Sequence, residues 1–584
     1  MSNNQQKSNT SSYSLLKRLF AYTSPYKGVL SAAIITTISL TILSTLRPIL
    51  IGKTFDDYVK MGNKEMLVQM SAFLLGILLL EAIVHFTDTY LTSLLGQNII
   101  KDLRLKLYKH MVSLRLKYYD NTPIGTMVTR AISDIEVIAN VFSAGLIVII
   151  ADLLKIAVVV AYMFYANYQL ALVTLLPIPL LIFATNMFKK AVHKSFQEVR
   201  NQVAKLNTFV QEHITGMSIV QLFNREKEEM KKFEAINELH RIANIKSILA
   251  YSIFFPVVEI LSALSLGLIV WWGGKGMLSS FTTVGDVIAF IFFVNMLFRP
   301  MRQLADRFNT LQMGMVAAER VFKVLDTNET IEDKGTQTAE NIVGDIAFKN
   351  IWFAYNDEDW VLKNISFNVT KGETVALVGA TGAGKSSIIN LLSRLYEFNK
   401  GQITVDDINI RDYQLNSLRE NIGVVMQDVF LFSDSIANNI SLNNTNISRT
   451  DIINAAKAVG ADEFISKLPN GYDFNSMERG AMLSVGQRQL IAFIRAYVYN
   501  PKILVLDEAT SSIDSSSEKL IQKAINVLTK GRTSIIIAHR LATIQNADKI
   551  LVIDKGEILE QGTHQELLKM NGQYKKLFDL QFKN

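Results

Sequence analysis

Six stretches of this 584-residue chain are apolar for long enough to cross a bilayer, whose hydrocarbon core takes about 20 helical residues. They run roughly over 28–52, 66–91, 142–164, 170–188, 248–272 and 284–301. Inside hydrocarbon a backbone N–H or C=O finds no water, so each stretch must close its hydrogen bonds internally as a helix. The first half of the chain therefore reads as an all-α membrane domain of six helices. The fourth stretch carries no charge. Others hold isolated ionisable groups: Glu81, His85 and Asp88 in the second, Asp152 and Lys155 in the third, Glu259 in the fifth. Charges in such places are expensive and are functional candidates by default. Asp152 and Lys155 are spaced to pair along one helix. Glu81, His85 and Asp88 lie near one helical face, and Glu259 has no partner nearby in sequence.

The connections alternate in length. Those after the second and fourth stretches, about 96–141 and 189–246, are long and rich in Lys, Arg and Glu at helical spacing. They read as spanning helices that continue into water as helical arms. Lys101, Arg104, Lys106, Lys109, Arg115 and Lys117 lie on one arm, Lys189, Lys190 and Lys194 on the other, and Lys17, Arg18 and Lys27 precede the first span. The bias of Lys and Arg toward the cytoplasmic side puts both termini and both arms in the cytoplasm of a multi-pass protein of the cell membrane. The same bias accounts for the net charge of +7, so no nucleic-acid partner is expected. Hydrophobic residues make up 49% and charged residues 19% of the chain, and there is no cysteine. Disulfides and thiolate metal sites are thereby excluded. Residues 1–12 are polar, with no apolar core of signal-peptide type, so no cleaved leader is expected.

The sixth span continues as a helix to about Leu325. A polar linker follows, and from Ile346 short apolar strands alternate with helices, the pattern of an α/β domain. The expected boundaries are 1–325 for the membrane domain, 326–344 for the linker and 345–584 for the second domain. In that domain Gly379-Ala-Thr381-Gly382-Ala-Gly384-Lys385-Ser386 fits the phosphate-loop pattern G-x-x-x-x-G-K-[ST]. An apolar β-branched run, 374–378, precedes it, and an apolar run at helical spacing from Ser387 follows. Strand, glycine loop and helix are the context the motif requires. Backbone N–H groups and the helix N-terminus cradle phosphate oxygens. Lys385 would reach the outer phosphates and the Ser386 hydroxyl would sit on Mg²⁺. Farther on, Ile503-Leu-Val-Leu-Asp507-Glu508 reads as a buried strand ending in two acids. Asp507 would hold Mg²⁺ and Glu508 would polarise the attacking water.

Leu483-Ser484-Val485-Gly486-Gln487 precedes a helix and resembles L-S-G-G-Q, the signature of ATP-binding-cassette proteins. The surroundings fit the resemblance. Gln427 follows an apolar strand, as the Q-loop glutamine does beside Mg²⁺ and the attacking water. Ser512-Ile513-Asp514 resembles the D-loop, His539 the switch histidine, and Tyr355 the aromatic that stacks on adenine. The resemblance implies an α/β ATPase domain whose ATP contacts include Tyr355, Gly379, Thr381, Gly382, Gly384, Lys385, Ser386, Ser387 and Asp507. It gives Ser386, Gln427 and Asp507 to the metal, Glu508, His539 and Gln427 to catalysis, and Ser484, Gly486, Gln487 and Asp514 to the nucleotide contacts that two such domains share.

The membrane half resembles the exporters of that family, with six spans ahead of one nucleotide-binding domain. Tyr118-Tyr119-Asp120 through Gly125 to Arg130 is similar to their first coupling loop, and Glu212 through Gly216 to Phe223 to the second. The chain departs from the signature at Val485, which stands in place of a glycine. Glu478-Arg479-Gly480 resembles the segment that exporters use to contact the partner's coupling helix. The resemblance implies a half-transporter that works as a dimer, a homodimer ahead of a heterodimer. It implies ATP and Mg²⁺ as ligands, the lipid bilayer as surroundings, and export or flipping of hydrophobic or amphipathic molecules by alternating access. A peptide exporter and an ATP-gated channel or regulatory protein are the alternative readings.

Overall fold

The computed structural model describes residues 12–331, 333–340, 342–356, 358–507, 515–538 and 540–582. They divide into two compact units. One holds the chain up to Val112 together with Ile124–Thr327, and the other holds Ser113–Pro123 together with the chain from Asn328 onward.

Among the described residues, the first unit has six helices long and apolar enough to span a membrane. They contain α1 (Lys27–Thr54), α2 (Lys64–Val112), α3 (Ile147–Ala166), α4 (Ile178–Thr215, whose span begins at Tyr168), α5 (Glu226–Leu278) and α6 (Val284–Leu325). With 49 residues in α2 and 53 in α5, at about 1.5 Å per residue these helices run about 75–80 Å. That is more than twice the hydrocarbon thickness, so the expected arms are present as unbroken helix. Large apolar side chains such as Phe73, Leu79, Ile83 and Phe86 are exposed along α2, which suits contact with lipid. The interior is packed by Phe188 stacked on Phe254 at 4.0 Å and by Phe290, Phe293 and Phe298.

Two local features differ from the expectation. The fourth span, Tyr168–Thr215, is interrupted by a turn: Tyr168–Leu175 ends before Pro177, and α4 starts at Ile178. Pro177 and Pro179 remove two backbone donors within one turn, whereas Pro48, Pro256 and Pro300 stand singly inside α1, α5 and α6. The entry to α3 is a wide-turn π-helical stretch over Val141–Leu146. The isolated charges also find partners other than those suggested by spacing. Asp152 pairs with Arg307 at 3.2 Å, Glu81 with Arg47 at 3.1 Å, and Glu259 with Arg302 at 3.1 Å. Asp88 accepts from the hydroxyls of Thr37 at 2.6 Å and Thr36 at 3.1 Å.

The second unit carries two sheets. Strands β1 (Ile346–Ala354), β2 (Trp360–Val369), β4 (Lys400–Val405) and β5 (Ile408–Asn409) form an antiparallel sheet in the order β2-β1-β4-β5. Strands β3 (Thr374–Val378), β6 (Ile422–Val425), β7 (Ile503–Asp507), β8 (Thr533–Ile537), β9 (Lys549–Asp554) and β10 (Glu557–Gly562) form the other, ordered β10-β9-β3-β8-β7-β6. All its neighbours are parallel except β9 and β10. Its central strands are apolar on both faces because both are covered. Val375, Leu377, Val505 and Ile535 join one core with Ile388 and Leu391, while Ala376, Leu504 and Ile536 join another with Ile491, Ile494 and Ile525. Ligands of open parallel sheets gather at the carboxyl ends of the strands. Here that edge carries the end of β3 and, one strand away across β8, the end of β7.

The segment Ser113–Pro123 is held to this unit by a short set of bonds. Arg115 donates its backbone N–H to the Glu329 carbonyl and its Nε–H to the Thr330 carbonyl, both at 2.7 Å. The Tyr396 hydroxyl donates to the Asp120 carboxylate in a short hydrogen bond. Burial and the adjacent carboxylate both raise the Tyr396 pKa, so the phenol keeps its proton. Tyr396→Phe deletes the donor and leaves the ring. It should loosen the segment by about 1 kcal/mol, read as faster amide exchange at 116–121 with the exchange of β3 and β8 unchanged.

Candidate nucleotide site

The loop after β3 is built around positions where a side chain does not fit. A Cβ on Gly379 would fall on the Ile553 carbonyl oxygen. Gly384 caps the next helix, α7 (Lys385–Leu392), at φ +103°, and a Cβ there would lie 2.7 Å from Leu362 Cδ2. This left-handed geometry favours glycine and turns the loop back under the N-terminus of α7.

Lys385, the first residue of α7, is only 7% exposed. Its ammonium donates to the carbonyls of Gly379 and Ala380, each at 2.8 Å. Burial lowers the Lys385 pKa, and the Asp507 carboxylate opposes that shift. Asp507 ends β7, buried, and the Ser386 hydroxyl donates to it at 3.3 Å. Tyr355 follows β1. Its hydroxyl is 3.1 Å from Ser387 Oγ and accepts from Asn390 Nδ2 at 3.3 Å.

These groups line one cavity of about 370 Å³. Of the residues singled out from sequence, Tyr355, Thr381, Gly382, Gly384, Lys385, Ser386, Ser387, Gln427 and Asp507 are on its wall, with Gly379 at the base of the loop. Ser484, Gly486 and Gln487 are not on it. They begin a different helix, α8 (Val485–Val498), where Ser484 and Gln487 cap each other: the Gln487 N–H donates to Ser484 Oγ at 3.2 Å, and the Ser484 N–H to Gln487 Oε1 at 2.9 Å. Val485 is the first residue of that helix and 49% exposed. Just before it, Met477, Arg479 and Gly480 all have positive φ. Glu508, Asp514 and His539 lie outside the described residues.

The sequence reading missed several neighbours. Val361 and Ile537 supply apolar wall. Asn390 holds Tyr355, and its place on α7, three residues after Ser387, could have shown that it shares a face with the loop. Tyr396 meets Tyr355 edge-on at 4.9 Å. Nothing local in the sequence points to that contact.

A parallel sheet with a glycine loop over a buried lysine, and an acid one strand away, defines a phosphate-loop nucleotide-binding domain, here on a chain with six membrane-spanning helices. Residues 30–301 match the ABC transporter transmembrane region and residues 362–511 the ABC transporter domain. The chain is 36% identical to "Uncharacterized ABC transporter ATP-binding protein YknV" of Bacillus subtilis, over 97% of this chain and 94% of that one. It is 37% identical to the "ATP-dependent lipid A-core flippase" of Haemophilus influenzae, over 99% of both. It is also 37% identical to the "Probable multidrug resistance ABC transporter ATP-binding/permease protein YheH" of Bacillus subtilis, over 87% of this chain and 76% of that one. The chain belongs to the ABC transporter family, as a membrane-spanning region and an ATP-hydrolysing domain joined in one polypeptide.

The close fit at Gly379 is testable. Gly379→Ala forces a methyl group against the Ile553 carbonyl. Overpacking of this kind costs about 1–3 kcal/mol, so the melting temperature should fall and ATP affinity with it, whereas alanine at Gly372, where a Cβ meets nothing within 4 Å but φ is positive, should affect stability alone.

Proposed function

We propose that the protein is an ATP-driven exporter or flippase of hydrophobic or amphipathic molecules, lipids or drugs, in the cytoplasmic membrane. It works as one half of a dimer, a homodimer ahead of a heterodimer, with both termini in the cytoplasm. The observation that carries this reading is the cavity joining Lys385, Ser386 and Asp507 on a chain with six spanning helices. The names of the relatives suggest the substrate class: one is called a lipid A-core flippase and another a multidrug resistance transporter.

In this reading Tyr355 stacks on the adenine. The backbone of Gly379, Thr381, Gly382 and Gly384 cradles the phosphates together with Lys385, Ser386 and Ser387. The buried Lys385 ammonium exchanges loop carbonyls for phosphate oxygens, a stronger, charge-assisted partner. A hydroxyl and a carboxylate 3.3 Å apart on the cavity wall are the hard oxygen ligands that suit Mg²⁺. Ser386, Asp507 and Gln427 would hold it, and when bound it would neutralise charge on the phosphates. Glu508 acts as general base toward the attacking water and His539 holds the γ-phosphate. Ser484, Gly486, Gln487 and Asp514 serve the site of the opposite subunit, so ATP joins two copies and hydrolysis parts them. The segments around Asp120 and Gly216 carry that motion to the membrane helices. Net transport then needs only that substrate affinity differ between the two states.

Two substitutions test the assignment. Glu508→Gln should lower turnover by about 10² to 10⁴, the scale of losing a general base, while ATP still binds. Hydrolysis at the wild-type rate would remove Glu508 from that role. Lys385→Ala deletes a charged hydrogen-bond donor worth about 1.5–3 kcal/mol. ATP affinity measured by calorimetry should fall by about tenfold or more, and unchanged affinity would overturn the phosphate-loop reading.

A further inference from the structure

The membrane-spanning unit encloses a cavity of about 550 Å³ among α1, α2, α3 and α6. Four cations on its wall, Arg47, Lys155, Arg299 and Arg307, face three carboxylates, Glu81, Asp88 and Asp152. The carboxylates are all answered. Glu81 has Arg47, Asp152 has Arg307, and Asp88 has the hydroxyls of Thr36 and Thr37. The cations are not. Among the described residues, neither Lys155 nor Arg299 has an ion pair within 4.0 Å or a hydrogen bond. Lys155 is half-buried and within electrostatic range of Arg299 and Arg47 as well as of Asp152 and Glu81. The positive excess is thus concentrated on Lys155 and Arg299.

A cation taken toward hydrocarbon calls for a counter-charge. Water-soluble anions would satisfy that charge but would leave the apolar wall of Leu40, Val148, Phe292 and Met296 unmatched. A cationic headgroup would find Glu81 and Asp152 already in ion pairs and Asp88 already holding two threonine hydroxyls, with Lys155 and Arg299 repelling it. Resting on the exporter reading, we propose that this cavity selects amphiphiles with an anionic headgroup, a phosphate, sulfate or carboxylate. The headgroup lies against Lys155 and Arg299, and the tail runs along the apolar wall. The Arg47–Glu81 and Asp152–Arg307 pairs hold the surrounding helices and leave those two cations available.

The test uses the full chain in phosphatidylcholine vesicles, with ATP hydrolysis as readout. The probes are dodecyl phosphate, dodecylphosphocholine and dodecyltrimethylammonium, which share one tail, and inorganic sulfate, which has none. Dodecyl phosphate should stimulate at the lowest concentration, and sulfate should not stimulate. Lys155→Gln and Arg299→Gln should each raise the half-stimulating concentration of dodecyl phosphate by about tenfold, the scale of one charge-assisted hydrogen bond. Lys155→Arg should restore most of it. The proposal is overturned if the cationic probe is best, if sulfate matches dodecyl phosphate, or if both Gln variants respond like the wild type. Failure of the exporter reading looks different: ATP is not hydrolysed, or no probe changes its rate. Thermal stabilisation of the purified chain by dodecyl phosphate, with the same variants, then decides the cavity's preference independently.

Discussion

A charge taken out of water must find a partner or give up its ionised form, and that constraint organises both units of this protein. In the membrane unit three ion pairs among the described residues tie neighbouring spans together: α1 to α2 through Arg47 and Glu81, α3 to α6 through Asp152 and Arg307, α5 to α6 through Glu259 and Arg302. Pairs of this kind add little net stability, because desolvation offsets much of the attraction. Breaking Arg47–Glu81 or Asp152–Arg307 leaves a largely buried carboxylate unanswered, so these two pairs penalise any other arrangement of their helices. The ATPase unit meets the same demand with backbone dipoles. Lys385 is buried where no carboxylate forms an ion pair with it among the described residues, and two carbonyls of its own loop take its hydrogens. A lysine held by neutral acceptors keeps its charge available to a better anion.

What could be read from the sequence was local. The phosphate loop between β3 and α7 needs only a few consecutive residues, and its glycines announce the geometry. The six spans follow from run length alone, because hydrocarbon permits a lone segment no other structure. Long-range partners were not legible. In sequence Glu259 is solitary, because its partner Arg302 is far along the chain. Spacing pairs Asp152 with Lys155, three residues away, yet the structure gives it Arg307 and leaves the lysine facing the cavity. The break at Pro177 was hidden by an apolar run in which prolines elsewhere are tolerated. Only the doublet Pro177 and Pro179 removes enough donors to end a helix. Strand order decides that Asp507 reaches Ser386 across β8, and nothing in the two motifs states that order. The catalytic pair read from sequence, Glu508 and His539, lies outside the described residues and stands on its motifs alone.

The departure at Val485 is where sequence pattern and geometry lead to different weights. A glycine in a signature motif suggests a backbone that other residues cannot adopt. Here the position is the first turn of α8, with ordinary helical backbone and a half-exposed side chain. Valine gives up a little χ1 freedom there, and half of its side chain stands in solvent. The strained backbone lies earlier, at Met477 and Arg479, where non-glycine residues hold positive φ.

Consequently the features that matter at the start of α8 are the cap and the unpaired N–H groups of its first turn. Ser484 and Gln487 satisfy one donor each and fix the direction of the helix, which makes its N-terminus a ready acceptor of negative charge. None of this depends on the side chain at 485. On the reading proposed above, a chain that keeps the cap, Gly486 and Glu508 retains the parts for two equivalent ATP sites. The valine therefore gives no physical reason to expect a second, different subunit.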